Sequence, residues 1–212
     1  MRLVSLGRLR LDGEKFRREK PLLLLAYLAL EGPKPRRFLA GLFWPGAPNS
    51  MNNLAVALAH LRRLHAAEGD DSHLWLTAGC DALELREHLR AGQLEAALAL
   101  YHGPFADSLG QDDSGPELEE WVLETREGLA RELRAALLWE AEAAASRSQF
   151  AAAARGAERA YRLPGCPPPE EEELPRFYRL LRAAEHPLAG AVEREARELG
   201  VPLGAPAQTV RD

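Results

Sequence analysis

The stretch 51–65, MNNLAVALAHLRRLH, holds the side chains best suited to recognising another molecule. Wound at 3.6 residues per turn, it places Leu54, Leu58 and Leu61 on one face that must be buried, with Met51 extending the stripe. The opposite face presents Asn52, Asn53, Val56, His60 and Arg63, with Arg62 at its edge. An amide can donate and accept at once against an adenine edge, a valine can touch a thymine methyl, and a guanidinium can hold a phosphate. Asn52, Asn53, Val56 and His60 are therefore candidates for base contacts in a major groove, and Arg62 and Arg63 for phosphate contacts. The simpler alternative is the solvated face of an ordinary amphipathic helix. Arg17 and Arg18, and Arg36 and Arg37, add two cationic pairs near the starts of two expected helices, where free backbone amides also attract phosphate.

Catalysis finds no comparable cluster. The sequence has no Gly-rich phosphate loop, no HExxH and no GxSxG. His60 and His65 are five apart and do not share a helix face as a metal pair would. Cys80 and Cys166 are distant, with no CxxC pattern, as reduced thiols of a cytosolic protein would be. The expectation is a protein that is not an enzyme, with no catalytic residue, metal or cofactor. Leu22–Leu30 is about half the length of a membrane span. Met1 opens an alternating pattern and not a secretion signal, so a soluble cytoplasmic chain without a membrane partner is expected.

The elements that must position these residues follow from the periodicity. Arg2–Leu11 alternates like a strand, with a bulge at Gly7 and a turn at Asp12-Gly13. A helix starts at Pro21 and stops at Gly32-Pro33; a second runs from Pro35 to Trp44-Pro45. Asn49 or Ser50 caps the third, which carries the candidate reading face. After a turn at Asp70-Asp71, His73–Thr77 and Cys80–Leu85 are expected to flank Ala78-Gly79 as a hairpin, with Thr77 and Gly79 on the wing. Strand, three helices and hairpin is the order of a winged helix-turn-helix, assigned to residues 1–85.

Charge divides along the chain. Residues 1–68 carry 12 Lys and Arg against 5 Asp and Glu, whereas residues 69–212 carry 15 against 27. A basic head on an acidic body suits a DNA reader joined to a part that avoids DNA. That second part, residues 86–204, reads as all-helical: Leu83–Ala91 and Leu94–Tyr101 pair around Gly92, and a long helix follows Pro116. Further helices cover Phe150–Leu163, Leu174–Ala184 and Leu188–Leu199, with loops at 110–115 and 164–169. The helix–turn–helix stride, with small residues at Ala151–Ala154, points to tetratricopeptide-like repeats. Trp121, Trp139 and Phe150 are expected in the core, the alternative being anchors of a binding groove. Glu170–Glu173 complement a helix dipole or form an acidic patch. Residues 205–212 read as a flexible tail and a natural end.

Taken in order, LGRLRLDG, LLLLAYLALEG, RRFLAGLFWPGAP, NNLAVALAHLRRL, LYHGPFADSL and PELEEWVLETREGL resemble regulators of the Streptomyces antibiotic regulatory protein (SARP) type over nearly the whole chain, to about Gly204. The resemblance implies a mainly α protein: a winged helix-turn-helix followed by a bacterial transcriptional activation domain. It implies a homodimer on tandem promoter repeats that contacts RNA polymerase. The sequence departs from the pattern at Ala55, where the family commonly has a basic residue. A helical-repeat adaptor whose winged helix no longer reads DNA is the rival, favoured by the lack of basic residues from Ala66 to Leu85.

Overall fold

Short strands are interspersed with helices up to residue 80, and six helices follow among the described residues. The computed structural model describes residues 1–109 and 115–203. In chain order it contains β1 (Arg2–Val4), β2 (Arg10–Leu11), α1 (Glu19–Glu31), β3 (Lys34–Pro35), α2 (Arg36–Phe43), α3 (Ser50–Arg63), β4 (Ala67–Gly69), β5 (His73–Leu76) and β6 (Gly79–Cys80). Then come α4 (Asp81–Arg90), α5 (Leu94–Leu100), α6 (Pro116–Ser146), α7 (Phe150–Tyr161), α8 (Leu174–Arg182) and α9 (Ala189–Glu198). The chain is mainly helical, with a small sheet content confined to its N-terminal part. Among the described residues no helix is long and apolar enough to cross a membrane.

The first sheet has the order β2–β1–β6, with β1 antiparallel to β2 and parallel to β6. The single strand expected over Arg2–Leu11 is thus two strands. Gly7 explains the break: it takes a φ of 101° and sends its amide to Pro104 O at 2.9 Å, so the chain turns there. The second sheet has the order β3–β5–β4. Its hairpin joins β4 to β5, pairing Ala67 with Leu76 and Gly69 with Leu74, and its tip is Asp70–Ser72.

The hairpin expected around Ala78-Gly79 is corrected by this pairing. Thr77 follows β5 and donates its hydroxyl to His65 O at 2.8 Å, and Gly79 lies in the other sheet beside Arg2. Neither stands at the hairpin tip. Cys80–Leu85 does not continue as a strand, because Asp81 opens α4. The Asp81 carboxylate, 2% exposed, accepts the Ser5 amide at 2.8 Å, the Ser5 hydroxyl at 2.6 Å and the Leu6 amide at 3.0 Å. It thereby ties the start of α4 to the end of β1 and supplies partners for groups that strand pairing leaves open.

Helix α1 begins two residues before Pro21 and ends where expected, with Gly32 at a φ of 75° sending its amide to Leu28 O. Its eight residues Pro21–Leu28 are all buried, as a helix covered on every side must be. The second helix starts after Pro35, since Lys34 and Pro35 pair with β5. Met51 is corrected: it is 46% exposed, and Ala57 joins Leu54, Leu58 and Leu61 in the core instead. At position 51 the helix has only begun, one residue past its first, Ser50.

Two compact units result, Met1–Leu129 and Ala130–Asp212, with the division inside α6. A boundary at residue 85 would cut α4, which packs on β1 and α1 in the first unit. The first unit also keeps Phe105, fully buried and bridged to Leu6, and Trp121, whose ring centre lies 4.7 Å from Tyr27 and 5.7 Å from Phe105. Trp121 donates its Nε1 hydrogen to Glu31 at 3.0 Å. In the second unit α7 packs on α8 and α8 on α9. Helix α7 comes close to α6 at Gly156, where a Cβ would lie 3.1 Å from that of Ala141, and Ala153 and Ala154 of the expected small-residue run are buried.

The expected burial of three aromatics is corrected: Trp139 is 69% and Phe150 45% exposed, and Trp121 is half-buried. Arg134 is instead the large buried group there, 1% exposed, held by Pro167 O at 2.6 Å and Glu173 at 2.7 Å. Glu173 is thus an ion-pair partner as well as a residue at the start of α8. Residues 110–114 of the expected loop and the expected tail 205–212 lie outside the described residues.

Candidate nucleic-acid interface

The candidate surface is built on α3. Its start is closed by the Asn53 amide donating to Asn49 O, without a side-chain cap, and Arg62 and Arg63 sit in its last turn, where cations suit the helix dipole. With Leu54, Ala57, Leu58 and Leu61 inward, the outward face shows Asn52, Val56 and Arg63, all exposed, in one row. Val56 is 48% exposed, so its methyl groups are open to contact. Ala55 and Ala59 are exposed as well, which leaves this side of the helix narrow and without bulky obstruction.

Asn53 and His60 are half-buried and flank the row. Asn53 faces a groove of about 450 Å³ lined also by Arg18, Lys20, Trp44 and Val56. Lys20 Nζ lies 6.0 Å from the centre of the Trp44 ring, a cation–π contact that holds it over that groove wall. His60 is engaged by the segment before α1: Arg18 Nη1 donates to its Nε2 at 3.1 Å, and the Phe16 ring centre is 6.1 Å away. The structure therefore brings Asn52, Asn53, Val56, His60, Arg18 and Arg63 to one surface.

The arginines divide into two groups. Arg17, Arg37 and Arg63 are exposed and make no hydrogen bond or ion pair among the described residues. Arg36 and Arg62 converge on the hairpin tip: Arg36 Nη1 donates to Asp70 O at 2.9 Å, and Arg62 Nη2 donates to Gly69 O at 3.1 Å. The Arg36 amide adds a bond to Ser72 O at 2.8 Å. Within the tip, Asp70 Oδ1 accepts the amides of Ser72 and His73 and the Ser72 hydroxyl. These bonds, the His73 amide first, lower the Asp70 pKa from its ordinary 3.8 to about 2. Gly69 is required beside them, since a Cβ there would lie 2.4 Å from Leu74 Cδ2 and 2.5 Å from His73 O.

The tip-holding role of Arg36 and Arg62 was not legible in the sequence, because the carbonyls they meet are set by hairpin register. A local signal did exist for the turn itself, in the Asp70-Asp-Ser-His73 run typical of an Asx turn. The tip displays Asp70 and Asp71, both exposed. Cys80, by contrast, is a buried thiol whose pKa burial pushes up, aided by the Asp81 charge. No cluster of metal-ligating side chains occurs among the described residues. Compared with models of known protein families and with curated protein sequences, the chain matches none.

Proposed function

We propose that this chain is a sequence-specific DNA-binding transcription regulator of the SARP type. In this reading α1, α2, α3 and the β3–β5–β4 sheet form a winged helix-turn-helix. The later helices form a tetratricopeptide-like domain for protein contacts. It acts in the cytoplasm as a homodimer on tandem promoter repeats and contacts RNA polymerase. The observation that carries the reading is the outward row of α3, where Asn52, Val56 and Arg63 stand exposed with Asn53 and His60 at their flank. Amide and apolar side chains next to the Arg63 guanidinium, unpaired among the described residues, match a surface that reads base edges and grips phosphates together.

One observation favours a helical-repeat adaptor that does not read DNA. The hairpin tip exposes Asp70 and Asp71, and no Lys or Arg lies from Ala66 to Leu85, so this hairpin would repel a phosphate backbone. Selection from a random double-stranded DNA pool by the purified chain, at low and high salt, separates the two. A regulator recovers a motif in tandem, with repeats about one helical turn apart, and binds it less tightly as salt rises. Recovery of nothing above background at either salt would leave the adaptor.

A further inference from the structure

We propose that Arg18 is a positioning residue for His60: its bond to Nε2 fixes the imidazole as the neutral tautomer with the proton on Nδ1, so that His60 meets a base edge as a donor and selects guanine over cytosine. This rests on the DNA-binding reading above and specifies what one of its candidate base contacts recognises.

The bond runs from Arg18 Nη1 to His60 Nε2 at 3.1 Å. A guanidinium has N–H donors, no acceptor, and stays charged, so the nitrogen it meets must carry a lone pair. An imidazolium donates at both nitrogens and cannot accept, so the ring in this bond is neutral and its proton is on Nδ1. That second nitrogen has no hydrogen-bond partner among the described residues. Both ends of the bond are anchored. Arg18 is the N-cap residue of α1, with extended backbone (φ −79°, ψ 114°), and its carbonyl accepts the Leu22 amide at 3.3 Å. His60 sits in α3 and is half-buried, and the Phe16 ring, from the segment that also carries Arg18, lies 6.1 Å from its own. Arg18 also lines the groove that holds Asn53 and Val56, so the fixed ring belongs to the candidate reading surface.

The tautomer decides what the ring can recognise. In a major groove guanine offers two acceptors, N7 and O6, whereas cytosine offers an amino donor. An Nδ1–H group bonds to the first and opposes the second with donor against donor. The other tautomer would accept through Nδ1 and lose that discrimination. A net hydrogen bond gained or lost in this way corresponds to roughly 10-fold in affinity.

The first test needs no DNA: proton–nitrogen correlation spectra of the full chain carrying isotope-labelled histidine, at pH about 8 so that ordinary imidazoles are neutral. His60→Ala identifies the signals. The expected result is a protonated Nδ1 and a bare Nε2, with the proton moving toward Nε2 in Arg18→Met, which removes the donor and keeps the side-chain length. A proton on Nε2 in the unaltered chain, or the same spectrum in Arg18→Met, would overturn the positioning role. The second test repeats the random-pool selection with the unaltered chain and both variants, after thermal melting has confirmed that the variants fold. The position that loses its preference in His60→Ala should be guanine in the unaltered chain, and Arg18→Met should admit cytosine there. Cytosine in the unaltered motif, or a motif that His60→Ala leaves unaltered, would overturn the base preference. Uniform weakening by Arg18→Met with the motif intact would make Arg18 a phosphate contact instead. If the unaltered chain recovers no motif while the spectra show the expected tautomer, the DNA-binding reading fails, and the base preference falls with it.

Discussion

Arg62 and Arg63 are neighbours in sequence with different surroundings, and their variants should part company. Arg63 is exposed and unpaired among the described residues, so Arg63→Ala is expected to weaken binding to every DNA sequence and to lower the salt slope by about 0.9. Arg62 holds Gly69 O, so Arg62→Ala is expected to speed amide exchange at 69–72, an effect visible without DNA. Unchanged exchange there would show that the bond contributes nothing to the order of the tip. Asn53→Ala should shift preference among sequences by about 1–3 kcal/mol if it meets a base in bidentate fashion, and uniform weakening would remove it as a reader. Asp70 provides a pH test. Its folded pKa is depressed to about 2, so its support for the tip is complete above the unfolded value near 3.8 and lost as pH falls through about 2. A carboxyl NMR titration of Asp70 should therefore have its midpoint near 2; a midpoint near 4 would mean that the turn bonds do not hold in solution.

Among the elements, the two that most constrain the candidate surface are the β4–β5 hairpin and the start of α4. Gly69→Ala forces a methyl into Leu74 and the His73 carbonyl, and overpacking of this kind costs about 1–3 kcal/mol. Chemical denaturation should register that loss, and a hairpin that tolerates the change would have to open its tip. Asp81 matters by a different route. Replacing it with Ala leaves the buried Ser5 amide and hydroxyl and the Leu6 amide without their acceptor, a loss on the order of 3 kcal/mol. Because Asp81 is 2% exposed and fixes β1 to α4, the damage should appear as a lower melting temperature and not as altered DNA preference.

For the whole molecule, the charge contrast acquires a different meaning from the one the linear sequence conveys. Residues 69–129 carry 3 Arg against 14 Asp and Glu, whereas residues 130–212 carry 12 against 13. The acidic excess therefore belongs to the same compact unit as the basic head, and the second unit is close to balanced. The unit boundary also changes how the chain should be cut. Ending it at Leu85 removes Phe105 from Leu6 and Trp121 from Tyr27, exposing an aromatic cluster that the remaining piece cannot refill. A fragment 1–129 is expected to melt cooperatively, and a fragment 1–85 to melt at lower temperature or without cooperativity. Equal melting of the two would place the boundary back at residue 85.

Local signals in the sequence determined most of the helices to within a few residues, because apolar spacing and the punctuation at Gly32, Pro45 and Gly92 act over single turns of chain. They also determined that Asn52, Val56 and Arg63 face outward, since Leu54, Leu58 and Leu61 leave a helix no other way to bury its apolar side. Strand partners lay beyond their reach. Gly79–Cys80 pairs with Arg2–Leu3 across more than 70 residues, and Asp81 stops the strand by bonding to Ser5, a partner that no local pattern names. Exposure of Trp139 and Phe150 was undetermined for the same reason: an aromatic at helical spacing is buried only if another element covers it. Which arginines stay unpaired among the described residues, and which hold the hairpin tip, was decided by tertiary structure alone. The carbonyls of Gly69 and Asp70 come within reach of Arg62 and Arg36 only once the hairpin register is set.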